Sequence, residues 1–364
     1  MSPPPNFGAI TRSFAIDGEF GDFLCAESYG NGHIHDTYRV FFAPAGSSAR
    51  MILQRINTEV FRNPDVLMEN IARVTAHLAA RLADAPDRAR RALTLISSRT
   101  GDALLRDQEK NLWRAWHFIG DAFSREQIDS PAQAFEAARA FGLFQQQLAT
   151  LPAPRLHATI PDFHSTPRRY AAFEDAVARD AARRVRTAHA EISFARARQS
   201  IVGLLTNAGL PERVTHNDTK CNNVLFDDKS GEAICVVDLD TVMPGLAAYD
   251  FGDMVRTMTC PAAEDETDLS RVCMHLPLFE AVARGYLSTA GSFLTSAERD
   301  SLVVAGKLIT YELALRFLAD YLNGDTYFKV HRPAHNLDRC RTQFALVASL
   351  EEQESAVAHL LRSL

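Results

Sequence analysis

Residues 214–227 read VTHNDTKCNNVLFD. The stretch follows a Gly/Pro turn (Gly209, Pro211) and leads into a second apolar run, AICVVDLD, at 233–240. Its ends have the apolar character of short strands, yet its middle holds a His, an Asp, a Lys and three Asn. Such a cluster of short polar side chains between buried strands is expected either as a self-bonding polar turn or as a site. The spacing favours the site. His216 precedes Asp218 by two positions and Asn223 follows it by five. Asp238 closes the apolar run twenty residues after Asp218. A lone D-x-x-x-x-N reads as a turn; the four features together do not.

The bulk properties set the frame for that stretch. The chain has 364 residues, 46% apolar and 23% charged, enough for two lobes with real cores. A net charge of −6 argues against non-specific binding to nucleic acid or anionic membranes. The N-terminal MSPPPNFGAITRSF has no basic segment followed by an apolar one, and no apolar run reaches the ~20 residues that span a bilayer. The six cysteines include no C-x-x-C pair, so neither a disulfide framework nor a thiolate zinc site is expected. A cytoplasmic setting is expected, and a monomer or weak homodimer.

The chain divides near residue 120. Before it, FLCAESYG, HDTYRVFF, RMILQRI, ALTLIS and NLWRAWHFI read as strands. One clear helix interrupts them: Asn63 as N-cap, Pro64 at the first position, and an apolar stripe of Leu67, Ile71, Val74, Leu78 and Leu82. After residue 120 the pattern is helical. Tyr170 to Ile192 keep a three/four spacing over six turns, and further helices are expected at about 250–260, 275–290, 296–323 and 337–362. The only β-like insertion there is the opening stretch with its flanking strands. The expectation is an α+β, two-lobed molecule: a small β-rich lobe with one helix over residues 1–119, a larger helical lobe over 120–364, and a cleft between them.

An H-x-D-x-x-x-x-N loop followed by a strand-ending Asp suits phosphoryl transfer. That chemistry needs an acidic group beside the acceptor hydroxyl and hard oxygen ligands for Mg²⁺, which a carboxylate and an amide carbonyl supply. HNDTKCNNVLFD with ICVVDLDTVMPGLAAYDFGD resembles the aminoglycoside phosphotransferase/choline kinase superfamily. LQRINTEVFRNPDVLMENI and YELALRFLADYLNGDTYFKV are similar to its N-acetylhexosamine 1-kinase branch. The resemblance runs from about residue 25 to 345. It implies a protein-kinase-like fold and ATP-dependent phosphorylation of a sugar hydroxyl, with nucleotide and sugar as the small-molecule partners. It further implies Asp218 as catalytic base or orienter of the acceptor, Asn223 and Asp238 as Mg²⁺ ligands, and Arg316 as a ligand of the sugar.

The remaining candidates rest on weaker signals. Gly30 and Gly32 in SYGNGHIHDTYRV can let backbone N–H groups approach phosphates, although the third glycine of the protein-kinase loop is missing. His33 and His35 lack the further ligand that a metal site needs. The strand position that carries Lys in kinases falls on Gln54 or Arg55, so Arg55 is the candidate phosphate cation, unless it lies on the outer face. Asp240 either supports the metal or caps a turn. His216 is read as a brace of the loop, and Lys220 as either a phosphate contact or a solvated lysine. DFGD at 250–253 copies kinase letters but lies 32 residues past Asp218; Asp250 is read as an N-cap or a brace. Glu312, Arg316 and Asp320 fall on one face of a largely apolar helix, where buried charges need partners.

Overall fold

The computed structural model describes residues 5–16, 20–30, 34–43 and 50–364. In the first lobe, alternating residues build an antiparallel sheet from strands β1 (Phe23–Ser28), β2 (Asp36–Phe42), β3 (Arg50–Arg55), β4 (Leu95–Ile96), β5 (Leu105–Arg106) and β6 (Leu112–His117). Their order is β1-β2-β3-β6-β4, with β5 on the side of β6. The period-two alternation splits the sheet into two faces. Val40, Phe42, Met51, Leu53, Trp113 and Ala115 pack beneath Ile10 and Phe14 of the N-terminal segment. The other face carries Gln54, Arg114 and Trp116 toward the helical lobe. The helix Pro64–Arg81 starts where its sequence signals place it, with the Asn63 side chain accepting from Val66 N–H. It buries Leu67, Ile71, Val74 and Leu78. Two short helices, Phe7–Arg12 and Arg88–Arg91, add to the single one expected.

The second lobe is helical around a β insertion. Strands β8 (Arg213–Thr215), β9 (Val224–Asp227), β10 (Ala233–Val236) and β11 (Met243–Gly245) form two small sheets, and β7 (Ala122–Phe123) joins one of them as a further strand the sequence did not announce. Helices Ala247–Met258, Leu276–Ala290 and Ser296–Asn323 agree with expectation. The last opens on a full capping box between Thr295 and Glu298 and ends at Gly324 with φ +97°. Two expected helices break. The six-turn stripe from Tyr170 stops at Arg179, because Asp180 turns left-handed and its carboxylate caps Arg184 and Val185. A 3₁₀ turn then leads into His189–Arg196. The C-terminal segment divides into His335–Glu352 and Glu354–Ser363. Among the described residues no helix is long and apolar enough to cross a membrane.

Candidate active site

The loop 216–223 is held from below by one helix. Asp250 is buried, and its carboxylate accepts the backbone N–H of His216 (2.8 Å) and Asn217 (2.7 Å) and the amide of Gln145 (2.6 Å). Three positions on, one helical turn away, Asp253 accepts the N–H of Thr219 at 2.7 Å and pairs with Arg256. Asp250 therefore lies inside the helix Ala247–Met258 as a loop anchor; the cap position is Leu246. The glycine of DFGD has a packing reason: a Cβ at Gly252 would lie 2.5 Å from the Ala305 carbonyl oxygen, so its absence lets the helix meet its neighbour closely.

His216 ties the loop to the residue that follows β10. Its Nδ1 accepts the N–H of Asp218 at 3.3 Å, so its Nε2 donates to the Val237 carbonyl at 2.9 Å. Asn217 sits left-handed at φ 66° and turns the chain sharply, which leaves the Asp218 side chain partly open, 23% exposed. Asn223 donates to the Asp218 carbonyl (2.8 Å) and carboxylate (3.1 Å), while its own carbonyl accepts from Val237 N–H at 2.9 Å. That last bond sets Asn223 beside Asp238, the next residue. Asp238 is left-handed at φ 60°, a strained conformation of the kind that gathers at functional sites, and faces outward from the wall. The structure thus brings Asp218, Asn223 and Asp238 to one place.

The charges there are arranged for a cation. Crowded protein behind the Asp238 carboxyl withholds hydration, and the carboxylates of Asp240 and Asp218 repel its charge, so its pKa is pushed up to about 8. Burial opposes the charge of Asp218 too, but Lys220, 2.9 Å away, outweighs it and keeps that carboxyl below its ordinary range. Asp218 is thus ionised, and Lys220 is its partner. A carboxylate that lacks a counter-ion beside an amide is the hard-donor set a divalent cation takes when phosphate oxygens complete its shell. Asp238 and Asn223 would hold it. Among the described residues no three His, Cys, Asp or Glu side chains form a cage of their own.

Asp240 is differently placed. Both its oxygens are engaged by the buried Arg114 guanidinium, Oδ2 at 2.7 Å, and His35 Nε2 lies 2.8 Å from Oδ2. His35 Nδ1 accepts Asn57 N–H at 3.0 Å, which fixes Nε2 as the donor. Arg114 stands opposite Gln54 in the β3–β6 register and donates to it at 2.9 Å. The cation on the inner face of the sheet is therefore Arg114. Arg55, one position along from Gln54, falls on the other face and pairs with Asp36 at the surface, which corrects its expected position in the cleft. Gly30 has φ +75° and open space around it; Gly32 and His33 lie outside the described residues.

Arg316 stands over the ring of Phe163, the residue before His164. Both ring nitrogens of His164 face acceptors, Nδ1 at 2.9 Å from Glu312 and Nε2 at 3.0 Å from the Asn217 carbonyl. Only the imidazolium donates from both. Burial opposes that charge, the Glu312 carboxylate more than offsets it, and His164 titrates above its ordinary 6.5. A group whose folded value lies above the unfolded one stabilises fully below the unfolded value and loses that contribution as pH rises through the folded one. We expect the melting temperature to fall more steeply with pH above 6.5 in the wild type than in His164→Gln, read by scanning fluorimetry. Parallel slopes would remove the imidazolium.

Sequence reasoning missed Arg114, His164 and Asp253, and found His35 only as an incomplete metal ligand. Arg114 did leave a signal, a charge in the middle of the strand LWRAWH, where burial demands a partner.

An ionised carboxylate on a braced loop, with an amide and a second carboxylate converging beside it under an antiparallel sheet, is the arrangement of a kinase-like phosphotransferase. Comparison with known proteins agrees. The family model described as "Phosphotransferase enzyme family" matches residues 26–283, and the chain belongs to that family. It is a small-molecule kinase of the aminoglycoside phosphotransferase type with an alcohol as acceptor; membership of the family implies ATP as donor and dependence on a divalent metal.

Its fold is similar to that of an aminoglycoside phosphotransferase from Alicyclobacillus acidocaldarius (12% identity, TM-score 0.60, covering 100% of this chain and 97% of that one). It is likewise similar to a microcompartment-associated aminopropanol kinase (16%, 0.56, 96% and 98%). A third similar structure is a choline kinase from Cryptosporidium parvum (13%, 0.56, 98% and 98%).

Proposed function

We propose that the protein transfers the γ-phosphoryl group of ATP, with Mg²⁺, to a hydroxyl of a small sugar, in particular the anomeric hydroxyl of an N-acetylhexosamine. In this reading residues 1–119 cover the phosphates and 120–364 supply the catalytic loop and acceptor site. The acceptor hydroxyl sits against Asp218, which orients it and takes its proton as the bond to phosphorus forms. Lys220 faces the charge that develops on the transferring group. Asp238 and Asn223 hold the metal, whose contribution when bound is to neutralise phosphate charge. Asp250 and Asp253 keep the loop rigid, so little order has to be gained at the moment of reaction.

One observation carries the choice of a sugar over an amino alcohol or aminoglycoside. A cationic acceptor needs a free carboxylate, and the acidic side chains of the acceptor-side helix are already engaged. Glu312 bonds His164 and Thr166. Asp320 accepts the N–H groups of Thr326, Tyr327 and Phe328 and the amide of Asn336. The test is ADP release with Mg²⁺ and ATP across sugars, choline, ethanolamine and an aminoglycoside, with phosphorus NMR on the product. N-acetylhexosamines are expected to stimulate release and to yield an acid-labile anomeric phosphate. Selective stimulation by the amines would overturn the reading, and absence of any stimulation would favour a non-catalytic nucleotide-binding protein.

A further inference from the structure

Near His164 stand two neighbouring arginines, Arg169 and Arg316, and among the described residues neither has a carboxylate of its own. The Arg316 guanidinium carbon lies 5.4 Å from the ring centre of Phe163, 5.5 Å from Phe328 and 6.0 Å from Tyr327. Arg169, on the helix Thr166–Arg179, donates through one terminal nitrogen to the carbonyls of Asp162 (3.2 Å) and Phe163 (2.9 Å). Its Nε is buried with no partner. Among the described residues neither arginine forms an ion pair with a carboxylate. The acids in reach are committed elsewhere: Glu312 to His164 and Thr166, Asp320 to the 326–328 turn, and Asp162 to Arg168 at 3.2 Å.

The two cations feel each other. Burial first, and the neighbouring Arg316 charge second, hold Arg169 below its ordinary pKa. A chain gains no stability from two adjacent guanidiniums without a counter-ion, so such an arrangement persists where a ligand supplies one. The surroundings suit a ligand. Phe163, which accepts from Arg169 and stacks near Arg316, is followed by His164, whose ring bonds the Asn217 carbonyl next to Asp218. Tyr327 is 68% exposed, yet its backbone is pinned by Asp320. That presents an aromatic ring beside Arg316 at little entropic cost. Planar guanidiniums bind carboxylates and phosphates through paired hydrogen bonds.

We propose that Arg169 and Arg316 form an anion subsite for a carboxylate or phosphate group carried by the acceptor itself, away from the hydroxyl that is phosphorylated. The proposal rests on the sugar-kinase reading above and narrows its substrate class to acidic sugars. An N-acetylhexosamine bearing such a group satisfies both. The class distinguishes this chain from kinases built for cationic acceptors, because a positive pocket repels an ammonium group as strongly as it draws an acid.

The test compares N-acetylglucosamine, its 6-phosphate, glucuronate and glucosamine, by ADP release and by calorimetric titration onto the intact enzyme with a non-hydrolysable ATP analogue. One or both acids are expected to bind at least tenfold more tightly than the neutral sugar, and glucosamine more weakly; whichever acid binds identifies the anion. Arg169→Gln is expected to weaken acid binding on the order of 10–100-fold, the loss typical of a charged hydrogen bond, mainly through KM. Arg169→Lys should recover part of it, with melting temperatures confirming that both variants fold. Acid binding that is absent, or unchanged in Arg169→Gln, would overturn the subsite, as would a rise in the KM for ATP alone. A neutral sugar preferred by the wild type would overturn it while leaving the sugar-kinase reading standing. Arg169-dependent acid binding without turnover would support the subsite and count against catalysis instead.

Discussion

Replacing Asp218 with Asn is expected to lower kcat by about 10²–10⁴-fold while the protein remains folded and binds ATP nearly as before. The substitution keeps the shape of the side chain and removes the carboxylate proposed to take the acceptor proton. Asn223 can still donate to the carbonyl oxygen left at position 218, since both present contacts from its amide go to oxygens of that residue. The lost ion pair with Lys220 is partly open to solvent, at 44% and 23% exposure, so its contribution to stability is screened and amounts to about 1 kcal/mol or less. The charge removed is also one of the two that repel the Asp238 carboxylate. Metal-dependent nucleotide binding should therefore be unchanged or slightly stronger. Steady-state ADP release with a titration of ATP onto the variant separates these effects. A loss of less than tenfold in kcat, or a loss that appears only in the KM for ATP, would remove Asp218 from the role of base and assign it to nucleotide binding.

What the sequence made legible depends on how local each relation is. Asp218, Asn223, Asp238 and Asp250 lie within about 35 positions of one another, and one strand–loop–strand unit with the helix after it fixes their geometry. Spacing gathered Asp218, Asn223 and Asp238, whereas Asp250 was read as an N-cap or a brace. The boundaries of Pro64–Arg81 and Ser296–Asn323 were legible for the same reason, because caps and apolar stripes act over single turns. The stripe from Tyr170 to Ile192 misled because periodicity is blind to a side chain that prefers to cap. At Asp180 the carboxylate bonds two N–H groups ahead, and the helix yields to it. Arg114 was hidden by a different cause. Its partners are Gln54, sixty positions earlier, and Asp240, 126 later, and both relations exist only once the β3–β6 register and the lobe contact are set. Arg169 carries no pattern at all, since what marks it is the absence of a counter-charge in three dimensions.

Arg114 also carries the largest expected effect on stability. Arg114→Met should destabilise the protein by about 3–5 kcal/mol, because it leaves the Asp240 carboxylate buried with only the His35 ring to answer it. In the wild type burial disfavours the Asp240 charge, but the guanidinium more than compensates and holds the carboxyl far below its ordinary pKa. Removing the guanidinium reverses that balance, so the variant should bind a proton on folding near neutral pH and become relatively more stable as the pH is lowered. The wild type should show the opposite trend at this site: a depressed folded value gives stability above the unfolded carboxylate range and loses it as pH falls. Denaturant unfolding of Arg114→Met, Asp240→Asn and the double variant forms the cycle that isolates the pair. The double variant should be more stable than the sum of the single losses implies, because neither orphaned charge remains. Strictly additive losses would mean that the two side chains are not coupled, and that the lobes are held by the helix Pro64–Arg81 instead, through the Asn70 bonds to the His157 and Val242 carbonyls. Coupling near the upper end of the range would make Arg114 the residue that fixes the sheet above Asp238, and would predict that its loss lowers kcat by displacing Asp238, the proposed metal ligand, even where the variant is fully folded.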